Sequence, residues 1–165
     1  MGAGKSTVAQ LLADRLPKAA HVRGDAFRRM IVSGRAEMVP AAEEEAIAQL
    51  QLRYDLAALV VDGYAGAGFT AVYQDIVLGD DLVQATDRIR ARPLFVVVLA
   101  PRPDVVERRA EWRTKTAGYG SWTVGALDLM LRETPRIGLW LDTSHQTGQE
   151  TVEEILGRAV DARVA

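Results

Sequence analysis

Met1-Gly2-Ala3-Gly4-Lys5-Ser6-Thr7 opens the chain, and its reading decides the fold. Gly4-Lys5-Ser6 matches the second half of the pattern G-x-x-x-x-G-K-[ST], a loop that cradles phosphate. Counting back five places from Gly4, the first glycine of the pattern falls two places before Met1. The signature is therefore incomplete, and the apolar strand that normally feeds such a loop is not in the sequence. We expect the natural domain, or its ancestor, to continue upstream, so that the first strand is absent from this chain. Gly2 followed by Ser6 also fits a myristoylation pattern, but the phosphate loop accounts for the same glycines together with Lys5.

The chemistry of the stretch supports that reading. Glycines allow backbone N–H groups to turn toward phosphate oxygens without a Cβ clash. Lys5 is placed to neutralise β- and γ-phosphates, and the Ser6 hydroxyl can ligate Mg²⁺. Gly2, Ala3, Gly4, Lys5, Ser6 and Thr7 are thus the candidate nucleotide-binding residues. Val8, Leu11, Leu12 and Leu16 then recur at helical spacing until Pro17. That helix adds the positive end of its dipole to the loop. Only three lysines stand against seventeen arginines, and one of the three occupies the position where the motif requires lysine.

Composition sets the outer limits. The 165 residues fit one domain. Hydrophobic residues make up 48% and charged residues 25%, ordinary globular values that exclude disordered or disulfide-rich classes. With no cysteine, thiol catalysis and Cys-based zinc sites are excluded. A net charge of −2 gives no electrostatic case for a nucleic-acid partner. Apolar runs such as Phe95 to Ala100 are too short to span a bilayer. No signal peptide is legible, so a cytoplasmic protein without membrane or nucleic-acid partners is expected.

Downstream, strand and helix patterns alternate. Short strands are expected at 19–22, 69–74, 93–100 and 138–141. Helices are expected at 26–33, 41–61, 80–91, 103–115 and 123–132, with a C-terminal helix opened by the capping box Thr147-x-x-Glu150. Ile47, Leu50, Tyr54, Ala58 and Val61 share one face of the long helix. The glycines from Gly63 to Gly68 read as its stop and turn. The run from Pro93 to Ala100 suits a strand buried on both faces. This alternation implies an α/β fold, a parallel sheet with helices on both faces.

In such sheets ligands sit beyond the C-terminal strand ends. One strand leads into Asp25, followed by Arg28 and Arg29; another ends at Gln74-Asp75; the last ends at Asp142-Thr143-Ser144-His145. Asp25 is the candidate general base for a hydroxyl attacking a γ-phosphate, or a helix cap, or both. Of the adjacent arginines, one is expected to touch substrate or phosphate and the other to face solvent. Asp75 either holds Mg²⁺ through water or binds a substrate hydroxyl; a turn aspartate is the structural alternative. Arg108, Arg109 and Arg113 lie on the helix after the most apolar strand, where guanidinium groups could stabilise the transferring phosphoryl group. The stretch after them, with Gly118 and Gly120, reads as a lid, region 108–122.

Taken together, these residues resemble the small P-loop kinases of the shikimate, gluconate and adenylylsulfate kinase type, and most closely the chloramphenicol phosphotransferase-like branch. The carrying motifs are Gly2-Ala3-Gly4-Lys5-Ser6-Thr7, Gly24-Asp25-x-x-Arg28, Gln74-Asp75, Arg108-Arg109-x-x-x-Arg113 and Leu141-Asp142-Thr143-Ser144. The resemblance implies a three-layer fold with strand order 2-3-1-4-5, the absent first strand lying at the centre. It implies an ATP-dependent, Mg²⁺-using phosphotransferase acting on a hydroxyl of a small molecule, a metabolite or an antibiotic. By the same resemblance Asp25 maps onto the catalytic base, and Thr143-Ser144 onto the loop near the adenine. A nucleotide-binding module without transfer activity, and a kinase acting on a sugar nucleotide or nucleoside, are the alternatives.

Overall fold

A computed structural model describes residues 2–111 and 122–165. Helix α1 (Lys5–Arg15) is followed by strand β1 (Ala19–Arg23), which passes directly into helix α2 (Gly24–Met30). The long helix α3 (Glu44–Gly66) leads to strand β2 (Thr70–Gln74) and helix α4 (Asp81–Arg88). Strand β3 (Val97–Leu99) and helix α5 (Pro103–Glu111) come next. Helix α6 (Val124–Glu133), strand β4 (Leu139–Leu141), helix α7 (Gly148–Gly157) and the short helix α8 (Ala159–Ala162) complete the described chain.

Local chemistry explains several boundaries. Leu16, the residue before Pro17, is extended and ends α1, because the proline ring disfavours helical backbone in the residue before it. Glu44 and Glu45 occupy the first turn of α3, where carboxylates meet the positive end of the helix dipole. The Thr123 hydroxyl caps α6 by accepting from the Ala126 N–H. At α7 the expected capping box is complete: Thr147 accepts from the Glu150 N–H and the Glu150 carboxylate accepts from the Thr147 N–H.

Three expectations need correction. Helix α3 does not stop before Gly63 but runs through it to Gly66. Glycine in a helix costs only about 1 kcal/mol relative to alanine, and α3 buries Tyr54, Ala57, Ala58 and Val61 against the core. The stop is Gly68, whose φ of 79° reverses the chain. On the same helix Ile47, expected in the core, is 46% exposed; Ala46 and Ala57 are buried instead. The run 93–100 is not a long strand buried on both faces. Its regular part is Val97–Leu99, half-buried throughout. The residues before it pair with the C-terminus: the Val96 N–H donates to Ala162 O and the Leu94 N–H to Ala165 O.

The strands pair in parallel, as expected, but as two separate two-stranded sheets. β1 lies beside β2 with Ala19 opposite Thr70 and Arg23 opposite Gln74. β3 lies beside β4 with Val97 opposite Leu139 and Leu99 opposite Leu141. Among the described residues no third strand joins either pair. Helix α1 packs against β1, β2 and α7. Its Val8 joins Leu139, Leu141, Val152, Ile155 and Ala162 in one core, with Val97 and Leu99 at the margin. A second core gathers Val22, Ala58, Val61 and Ile89 between β1, α3 and the end of α4. Among the described residues no helix is long and apolar enough to cross a membrane.

Candidate active site

The N-terminal loop is bent by two left-handed glycines, Gly2 at φ 66° and Gly4 at φ 88°, conformations that side-chain-bearing residues avoid. At Gly2 space matters as well. A Cβ there would lie 2.7 Å from the backbone oxygen of Val106 in α5. Gly4 is the N-cap of α1, and the first turn of that helix carries no acidic residue. The positive end of its dipole is therefore not cancelled by its own side chains.

This end opens on a cleft of about 550 Å³, with Gly2, Ala3, Gly4 and Thr7 on one wall. Arg108 and Arg109 of α5 and Thr143 after β4 line the same cleft. Arg109 Nη2 donates to the Thr143 carbonyl at 2.9 Å, tying the basic helix to the loop after β4. Arg108 pairs with Asp104 at 3.2 Å and stays largely in solvent. Thr143 is buried, and its Oγ1 has no hydrogen-bond partner within the described protein. Ser144 has a different occupation: its hydroxyl donates to Asp142 and accepts from the Arg102 N–H at 2.8 Å, bracing the turn into α5. A glycine-bent helix N-terminus, a basic wall and an orphaned buried hydroxyl fit a polyanionic ligand.

Beside the cleft, the ends of β1 and β2 bring the expected polar residues together. Ser6 Oγ donates to Gln74 Oε1 at 3.4 Å, joining the phosphate-type loop to β2. The next residue, Asp75, has a side chain only 3% exposed. Its Oδ1 accepts from the Ile76 N–H at 2.7 Å, and its Oδ2 accepts from the Tyr73 hydroxyl at 3.1 Å. Arg53 Nε of α3 stands 3.1 Å from Oδ2 as a charge partner, without the alignment of a hydrogen bond. Burial pushes the Asp75 carboxyl above its ordinary pKa, against the pull of Arg53, the Ile76 N–H, Tyr73 and Lys5. Burial and the Asp75 charge also raise the Tyr73 phenol, which stays protonated and serves as donor.

Gly24 lies directly over this carboxylate; a Cβ on it would come within 1.9 Å of Asp75 Oδ2. The glycine therefore lets the start of α2 settle on Asp75, and Asp25 follows in the first turn. Asp25 pairs with Arg28 Nε at 3.3 Å and with Arg29. Burial raises the Asp25 pKa, but the two guanidinium groups outweigh it, and the net position is below the ordinary carboxylate value. Arg28 Nη1 also donates to both carboxylate oxygens of Glu37, at 2.9 and 2.7 Å. Arg29 is 72% exposed. Of the two adjacent arginines, Arg28 belongs to the site's interior and Arg29 to its surface.

Among the described residues, no group of three or more His, Asp or Glu is arranged to hold a metal ion. Ser6 and Asp75 are thus not parts of an all-protein cage. A cation held by one hydroxyl and phosphate oxygens needs no such cage. Arg113 and most of the expected lid lie outside the described residues. Trp122, at its far end, donates its indole N–H to the Met38 carbonyl at 2.9 Å. Sequence reasoning missed Arg53, Tyr73 and the role of Gly24. The signal for Arg53 was a lone charge between Leu50 and Tyr54 on the inward side of α3.

No family model matches the chain, and no curated protein matches it. Solved structures do. The chain is similar to a sugar kinase from Janibacter sp. HTCC2649 in an unliganded crystal structure, with TM-score 0.66 and 20% identity over 98% of this chain and 90% of that one. It is also similar to a candidate kinase from Chloroflexus aurantiacus J-10-fl, with TM-score 0.54 and 18% identity over 97% of this chain and 91% of that one. At these identities the likeness is one of fold: the chain has an α/β fold shared with kinases.

Proposed function

We propose that the protein is a P-loop kinase that moves the γ-phosphate of ATP to a hydroxyl of a small molecule. One observation carries the reading. The glycine-bent N-terminus of α1, with Lys5 and Ser6, meets the carboxylates Asp25 and Asp75 at a single edge, bridged by the Ser6–Gln74 hydrogen bond. A phosphate cradle beside an ionised carboxylate is what transfer to an alcohol requires. The strand order 2-3-1-4-5 belongs to this reading. The pairs β1–β2 and β3–β4 correspond to its two flanks, which supports it.

In this reading the N–H groups from Gly2 to Thr7, with Lys5, hold the phosphates, and Arg108, Arg109 and Thr143 line the nucleotide side. Ser6 would contact Mg²⁺, which supplies charge neutralisation on the phosphate oxygens. Asp25 accepts a hydrogen bond from the acceptor hydroxyl and takes its proton as the oxygen attacks the γ-phosphorus. The bond from that phosphorus to the bridging oxygen of ADP breaks in the same displacement. The low pKa of Asp25 suits a loose transition state, in which orientation matters more than base strength. Asp75, whose oxygens are already engaged, acts by fixing Gly24 and so the start of α2. Arg113 is assigned to the transferring phosphate on the motif alone.

The test is product analysis by mass spectrometry with ATP, Mg²⁺ and a panel of alcohols. A phosphorylated alcohol is expected, lost in Lys5→Ala and Asp25→Asn. Full turnover in Asp25→Asn removes Asp25 from the base role. ATP binding with no product across the panel favours the non-catalytic nucleotide-binding alternative.

A further inference from the structure

Helix α3 has an apolar face that the rest of the described chain leaves largely uncovered. Its inward side buries Tyr54, Ala57, Ala58 and Val61. On the opposite side Leu52, Leu56 and Leu59 are 49%, 37% and 59% exposed. Leu52 and Leu56 border a small cavity beside α2, and Leu59 lies beyond it. Gly63 and Gly66 continue the row, and an added Cβ at either would meet nothing within 4 Å. From Leu52 to Gly66 the spacing alternates four and three residues, the period that keeps one seam facing a second helix. Single exposed leucines are ordinary, but three in a row on one helix face mark a contact surface.

The charges at the two ends of this face say what covers it. Glu43, Glu44 and Glu45 are exposed at its N-terminal end and enter no ion pair among the described residues. At the C-terminal end Lys18 donates from Nζ to the Ala67 carbonyl at 2.8 Å and has no carboxylate partner among the described residues. Arg90 is exposed at the same end, 3.3 Å from Asp62. The 23 residues of α3 hold the two ends about 34 Å apart, well beyond a Debye length, so one chain cannot neutralise its own excess charges. A second α3 laid antiparallel does so twice, once at each end. With Leu52 of one copy against Leu59 of the other, Ala48 falls opposite Gly63. In the same register Glu44 falls opposite Ala67, the residue that holds Lys18. Asp55, close to the two-fold axis, carries its own counter-charge in Arg88 at 2.8 Å. A parallel pair would instead set three carboxylates against three, like charges face to face.

We propose that α3 forms a two-fold, antiparallel interface with a second copy of this chain. The interface is apolar along Leu52, Leu56 and Leu59, and each end is closed by Glu44 of one copy and Lys18 of the other. It does not depend on the reaction proposed above. The seam of a single helix lies below the area of a standard interface, so a Kd of about 10–100 μM is expected.

Sedimentation velocity on the whole chain, at protein concentrations up to about 1 mM, tests this. The expected result is a discrete species of twice the chain mass. Leu59→Glu should raise the dimer Kd by about tenfold or more, because it sets a carboxylate into the seam. Leu59 is 59% exposed, so the variant should fold, and a far-ultraviolet circular dichroism spectrum matching the wild type checks that. At low salt Glu44→Lys and Lys18→Glu should each weaken the dimer by about threefold to tenfold. The double variant, which restores opposite charges across the two-fold axis, should bind like the wild type. A chain that stays monomeric to about 1 mM overturns the proposal and leaves the seam to a helix of another protein. Association that Leu59→Glu leaves unchanged also overturns it and belongs to another face, such as the open strand edges. A dimer lost in Leu59→Glu but not regained by the double charge swap overturns the antiparallel arrangement.

Discussion

Replacing Gly24 by alanine puts a methyl group where the Asp75 carboxylate now sits. The added Cβ would lie 1.9 Å from Asp75 Oδ2, 2.3 Å from its Cγ and 2.9 Å from its Cβ. No rotation of a flexible tip relieves three such contacts, so Asp75 or the start of α2 must move. Forcing a methyl into a packed site costs about 1–3 kcal/mol. Pulling Asp75 away from Arg53 loosens a buried charge pair, and complete loss of one partner costs about 3–5 kcal/mol. Alanine in place of glycine in a helix returns at most about 1 kcal/mol. With partial displacement the net loss should be about 2–4 kcal/mol. In a domain of this size that lowers Tm by about 5–15 °C. The control is Gly63→Ala in α3, where nothing lies within 4 Å of the added Cβ and φ is not positive. That variant should hold or slightly raise Tm, since an alanine there improves helix propensity. Thermal melts by circular dichroism decide the matter. A Gly24→Ala protein that melts with or above the wild type refutes the packing argument.

Lys5→Ala should weaken ATP binding by about tenfold to a hundredfold in calorimetry, the worth of a charged hydrogen bond to phosphate; unchanged affinity removes Lys5 from the nucleotide site. Asp25 has a depressed pKa, so its contribution to stability is full above the unfolded carboxylate value of 3.8 and is lost as pH falls through its lower folded value. Urea midpoints of wild type and Asp25→Asn should therefore converge as pH drops from about 5 to about 2, and parallel curves would contradict the assignment. Thr147→Ala breaks the α7 capping box and should cost about 1 kcal/mol, read as a Tm drop of roughly 2–4 °C.

What the sequence disclosed was chiefly local. The helix of Val8, Leu11 and Leu12, its end before Pro17, the capping box at Thr147 and the i, i+3 spacing of Asp25 and Arg28 all depend on neighbours within four residues. The kinase-like α/β alternation was legible for the same reason. The contacts that shape the site are between distant segments: Arg53 with Asp75, Gly24 over Asp75, Ser6 with Gln74, Arg109 with Thr143. No periodicity encodes these, because each depends on how elements dock. The same limit explains the long apolar run at 93–100. Its residues were right for a strand, but pairing length is set by the neighbour, and β4 offers only three residues. The helical passage through Gly63 was hidden because glycine stops a helix only when packing does not repay it.

The unshared edges of β2 and β3 have a consequence for handling the protein. Among the described residues each strand is hydrogen-bonded along one side only. A five-residue strand such as β2 presents about 16 Å of backbone in template geometry. Such an edge recruits any extended polypeptide that supplies the complementary ladder. Association of the isolated 165-residue chain should therefore grow with concentration and carry a β-type infrared signature. A short peptide added in trans that suppresses it would identify itself as a ladder partner.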